Sequence, residues 1–152
     1  NYISRMIEDE NMKRLGMVKK LSLVLCGCWI CFPAQACTIG SVSESLLQMS
    51  SQYRSQTATS FNVRCDRGYS IQFSSRNLRD KHGSSFVNNG THRLRTSMSI
   101  MGAKTNLWNT PIAGHASTTG HKYSVAVRLD EQPSLTTPAG RYTDELYINL
   151  LF

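Results

Sequence analysis

Apolar and polar residues alternate along most of the second half of the chain. The last stretch shows it best. Tyr142, Asp144, Leu146, Ile148 and Leu150 fall on one parity, and Thr143, Glu145, Tyr147, Asn149 and Leu151 on the other. Residues two apart share one face of a strand, so this pattern predicts a terminal strand with Leu146, Ile148 and Leu150 turned to a core. Pro138-Ala139-Gly140 before it predicts a turn, with Pro138 presetting φ and Gly140 free to take a positive φ. The same period recurs upstream. Phe61, Val63 and Cys65 alternate with Asn62 and Arg64. After an Asp66-Arg67-Gly68 turn, Tyr69, Ile71 and Phe73 alternate with Ser70, Gln72 and Ser74, and the simplest connection is an antiparallel hairpin. Leu94 to Ile100 and Tyr123 to Leu129 predict two further strands, with a short one at Ser85 to Val87 before the Asn88-Asn89-Gly90 turn. Cys37 to Ser60 is polar, with Leu46, Leu47 and Met49 as its main hydrophobes, and supports only weak strands or a helical turn. Asn106 to Gly120 reads as a long loop carrying a buried Trp108. Short alternating strands separated by turn residues predict an all-β antiparallel sandwich.

The N-terminal quarter departs from this pattern. Lys13, Arg14, Lys19 and Lys20 precede an apolar run, Leu21 to Phe32, and Ala34-Gln35-Ala36 follows. A basic flank, about a dozen apolar residues and an A-x-A site are the parts of a cleavable secretory signal. The run is shorter than the roughly 20 residues that span a bilayer. Met12 or Met17 would serve as a start, which leaves residues 1–11 upstream of the signal. The predicted organisation is therefore residues 1–36 as upstream segment and signal, and residues 37–152 as one exported domain. Cleavage after Ala36 removes Cys26, Cys28 and Cys31 and leaves Cys37 and Cys65, a single pair that an oxidising compartment would join. The alternative is a lipidated Cys37, for which Ala34 and Gln35 make a poor recognition site.

Charge and candidate chemistry change the picture little. The chain carries 17 Lys+Arg against 10 Asp+Glu, a formal charge of +7, partly from the signal region. Arg64, Arg67, Arg76, Arg79, Lys81, Arg93 and Arg95 gather in the middle third, where they would favour anionic partners or simply form a solvated face. Neither basic runs nor interleaved aromatics of the kind nucleic acid requires are present, so no nucleic-acid partner is expected. His82, His92, His115 and His121 lack metal-ligand spacing, and no cofactor is expected. Nucleophile elbows, Walker loops and dinucleotide fingerprints are absent, and Asp130-Glu131 and Asp144-Glu145 are neighbours that face opposite ways on a strand. The residues do not point to an enzyme.

The ordered set of motifs resembles a known family. A cysteine follows the signal. Val63-Arg64-Cys65, Tyr69-Ser70-Ile71, Asn89-Gly90 leading to Leu94, Leu107-Trp108 and Tyr123-Ser124-Val125 come in sequence, and Pro138-Ala139-Gly140-Arg141-Tyr142-Thr143-Asp144 precedes the last strand. Together they resemble the spore coat protein U domain of archaic chaperone–usher pilus subunits. The resemblance implies an incomplete immunoglobulin-like sandwich completed by a donor strand. It implies a periplasmic chaperone, an outer-membrane usher and neighbouring pilus subunits as partners, and a route through the periplasm to the cell surface, with a host or abiotic surface as the target of adhesion. It also makes Phe61, Val63, Leu146, Ile148 and Leu150 the candidates for lining the acceptor groove. Subunits of this kind carry an alternating donor segment before the first cysteine. Cleavage after Ala36 leaves none, so the resemblance implies a subunit that receives a strand without donating one, as at a fibre tip, or a truncated chain. The second reading is a self-contained secreted sandwich that binds carbohydrate or an anionic surface, using the loop around Leu107 to His121 and the basic middle third.

Overall fold

The computed structural model describes residues 2–8, 37–40, 43 and 46–152. The basic and apolar segment expected as a signal, with Cys26, Cys28 and Cys31, lies outside the described residues. Ten strands are described: β1 (Tyr2–Glu8), β2 (Thr38–Gly40), β3 (Leu46–Met49), β4 (Gln56–Cys65), β5 (Tyr69–Ser75), β6 (Ser84–Asn89), β7 (His92–Met101), β8 (Ile112–Gly114), β9 (Ser117–Leu129) and β10 (Tyr142–Leu151). The described residues contain no helix. Alternation in the sequence becomes alternation in burial. On β5 the buried residues are Tyr69, Ile71, Phe73 and Ser75, and on β10 they are Tyr142, Asp144, Leu146 and Ile148.

The strands run in the order β2-β4-β9-β7-β6-β10-β1-β3, with β5 also on β10 and β8 on β5. The turn from one layer to the other lies at β6–β10, where a single pair, Thr143 with Asn88, makes the link. Beyond it β10 leaves β6 and pairs with β5 from Leu146 with Ser75 to Leu151 with Ser70. One layer is thus β2-β4-β9-β7-β6 and the other β8-β5-β10-β1-β3, an open antiparallel arrangement of the β-sandwich kind apart from the β1–β10 pair. Phe61 of β4, Tyr123 of β9, Phe73 of β5 and Trp108 meet between the layers, with ring centroids 5.7–6.1 Å apart. Such pairs add about 0.5–1.5 kcal/mol each beyond the area they bury. Cys37 and Cys65 are joined, with their Cα atoms 4.3 Å apart, which ties the entry to β2 to the end of β4.

Two details differ from the sequence expectation. The hairpin expected between Phe61–Cys65 and Tyr69–Phe73 does not form: β4 pairs with β2 and β9, and β5 with β10 and β8. The Asp66-Arg67-Gly68 turn instead carries the chain across the core, so the two apolar faces oppose each other between layers. Alternation marks a strand and its buried face and is silent on which strand lies beside it. The loop expected from Asn106 to Gly120 contains β8 and the start of β9, and Trp108 within it is 1% exposed. In the polar opening, Cys37 to Ser60, the strand alternative holds, with the short β2 and β3 and the start of β4.

Candidate functional site

The site begins with β10. The Tyr142 hydroxyl donates to the Pro138 carbonyl at 2.9 Å, and Gly140 takes φ 144° in the turn between them. This contact holds the entry to β10 in the manner of the tyrosine corner of sandwich domains. From there β10 presents one edge to β6 and then β5. Its other edge, Tyr142 to Ile148, pairs in parallel with β1, from Tyr2 with Tyr142 to Glu8 with Ile148. The far side of β1 pairs antiparallel with β3, from Tyr2 with Met49 to Arg5 with Leu46. β3 and β10 therefore do not pair with each other. They stand one strand apart, and the slot between them is filled by a segment that residues 9–36 separate from the rest of the domain. Among the described residues β3 has no other strand partner than β1.

The strands that edge the slot carry Leu47 and Met49 on β3 and Leu146 and Ile148 on β10, each buried, with Leu150 half-buried. Of the groove candidates named from the sequence, Leu146 and Ile148 sit on the slot's β10 edge and Leu150 lies beyond its paired length. Phe61 and Val63 are buried in the core on β4, between β2 and β9, and do not edge the slot. Leu47 and Met49 were missed; their two-residue spacing in Leu46–Met49 was the available signal. The strand Tyr2–Glu8 was missed too. Its Tyr, Ile and Met content favours a strand, but its place upstream of the signal argued against any role.

One buried charge lies on β10. Asp144 is 3% exposed. Its carboxylate accepts from the Ser85 hydroxyl at 2.9 Å, from the Glu145 backbone N–H at 2.8 Å and from the Asn77 backbone N–H at 3.1 Å. Ser75 and Ser85 hydroxyls are 3.2 Å apart behind it. Burial pushes the Asp144 carboxyl above its ordinary range, and the hydrogen bonds from Ser85, Glu145, Ser75 and Asn77 pull the other way without cancelling it. The carboxylate thus pins β10 to the chain leaving β5 and to β6. It lies among groups that all donate to it, as in a structural anchor.

The basic middle third is spread out. Arg67 pairs with Asp66, Arg76 with Glu145 and Arg95 with Glu131, at 3.5–3.6 Å, all on the surface. The guanidinium groups of Arg79 and Arg93 both lie over the Phe86 ring, 5.8 and 4.7 Å from its centroid. Among the described residues no group of three or more His, Cys, Asp and Glu could hold a metal ion. No protein-family model matches the chain, and no curated protein matches it.

Proposed function

We propose that this chain is an exported structural or adhesive subunit of a chaperone–usher type surface fibre, working by accepting a strand into the slot between β3 and β10. The observation that carries the reading is the occupancy of that slot by Tyr2–Glu8. Cleavage after Ala36, as the sequence predicts, removes this segment from the exported chain. The β10 edge from Tyr142 to Ile148 would then present unpaired N–H and C=O groups beside the buried Leu47, Met49, Leu146 and Ile148. An open edge beside an apolar trough recruits another strand: backbone bonds supply affinity and alternate side chains supply specificity. A periplasmic chaperone would fill the slot during transit, and a neighbouring subunit would fill it in the fibre. The usher and the final surface location follow from the same reading.

The test compares thermal unfolding of residues 37–152 alone and with a synthetic Tyr2–Glu8 peptide, using a scrambled peptide as control. Ligand at about 100 times its Kd stabilises by about 2.7 kcal/mol. The expected result is a loosely folded or aggregating lone domain whose midpoint rises by several degrees with the peptide and not with the control. A lone domain that unfolds cooperatively as a monomer, with a midpoint indifferent to millimolar peptide, would overturn the reading.

A further inference from the structure

At the end of the sandwich that holds the disulfide, the segments joining β7 to β8 and β8 to β9 enclose a pocket of about 230 Å³. Its lining includes Lys104, His115 and His121, and no Asp or Glu. Tyr123 closes its floor, and Ala113 and Ala116 form part of an apolar wall. Two contacts set its shape. The Tyr69 and Tyr123 hydroxyls bond to each other at 2.8 Å, which holds the floor in place. His121 Nε2–H donates to the Gly102 carbonyl at 2.6 Å, and the imidazole packs against Tyr123 with centroids 4.7 Å apart. With Nε2–H donating, Nδ1 is the acceptor nitrogen of the His121 ring, suited to a ligand hydroxyl rather than to an anion. Lys104 is exposed and takes part in none of the ion pairs among the described residues.

We propose that this pocket binds one acidic monosaccharide unit, with its carboxylate toward Lys104 and His115 and a ring hydroxyl toward Nδ1 of His121. The volume falls below that of sites for drug-sized ligands and suits a single ring-sized body. The Lys104 ammonium and an N–H of His115, with no Asp or Glu in the lining, select an anion. The alanines and the imidazole face give the ring's C–H surface an apolar wall, which a bare inorganic anion would leave unused. The proposal does not rest on the strand slot, since the pocket is built from β7, β8 and β9 and their connections.

The experiment titrates the full chain with glucuronate, glucose, glucose 6-phosphate and acetate, by calorimetry and by NMR shifts at Ala113 and Ala116. Glucuronate is expected to bind in the millimolar range, at least fivefold tighter than glucose or acetate, and more weakly in 500 mM salt. Lys104→Ala is expected to weaken it about three- to fivefold, the scale of one exposed charge pair. Ala116→Phe, an exposed position, is expected to fill the pocket and abolish binding with the circular dichroism spectrum unchanged. Glucuronate binding no tighter than glucose, equal binding by acetate, or indifference to Lys104→Ala would each overturn the proposal. Tighter binding of glucose 6-phosphate than of glucuronate would overturn the carboxylate assignment.

Discussion

Replacing Asp144 separates the contribution of its hydrogen bonds from the cost of its charge. The Ser85 hydroxyl and the backbone N–H groups of Asn77 and Glu145 donate to this carboxylate at 2.8–3.1 Å, and the Ser75 hydroxyl also bonds to it. In Asp144→Ala the Ser85 hydroxyl can turn to Ser75, 3.2 Å away, but the backbone N–H groups of Asn77 and Glu145 lose their acceptor. A buried donor without a partner costs about 1–3 kcal/mol, so two put the loss at about 3 kcal/mol, partly offset by removal of the buried charge. Asp144→Asn behaves differently. Its amide oxygen can accept from both N–H groups and its NH₂ can donate to Ser85, which then donates to Ser75. All contacts survive without the charge, and the change is expected to lie within about 1 kcal/mol of the parent at pH 7. The pH dependence gives a second handle. The folded carboxyl holds its proton to higher pH than the unfolded one, whose ordinary value is 3.8. The folded state therefore binds more protons above that value, and this group's contribution to stability falls as pH rises through the folded pKa. Neighbouring Glu145 turns to the Tyr147 hydroxyl and Arg76, and its charge is common to both proteins. Urea unfolding of the full chain at intervals from pH 3.5 to 7 should show the Asn variant gaining on the parent as pH rises. A difference flat in pH, or an Asn variant as weak as the Ala variant, would refute the reasoning.

Other expectations follow from single features. Reducing the Cys37–Cys65 bond, which closes a loop at a sequence separation of 28, should lower stability by about 3 kcal/mol, read as a fall in urea midpoint with a thiol-free reductant and reproduced by the double serine variant. Gly83 has φ +93°, and a methyl there would run onto the Met98 carbonyl oxygen and to 2.8 Å from Trp108 Nε1. Gly83→Ala should therefore cost more than about 1 kcal/mol and shift the Trp108 fluorescence, because both the backbone and the ring must move. Tyr142→Phe removes the hydroxyl that bonds Pro138 and should cost about 1 kcal/mol by the same urea assay, with the β content by circular dichroism retained.

The sequence by itself determined the strand segments that become β4, β5, β7, β9 and β10, and the buried face of each. Period-two alternation is a property of a strand's own residues, so it survives without knowledge of any neighbour. Cys37 and Cys65 were legible as a pair once the three upstream cysteines were assigned to the signal. Strand partnership was decided only in three dimensions. Every backbone offers the same donors and acceptors, so nothing local says that β4 lies beside β9 and β5 beside β10. The burial of Asp144 also came from outside its own strand: Asn77, Ser75 and Ser85, some 60 to 70 residues earlier, supply most of the partners that let a charge stay inside. The slot is the strongest case. It exists because β3 and β10, far apart in sequence, stand one strand-width from each other, and a gap between two elements has no residues of its own to be read.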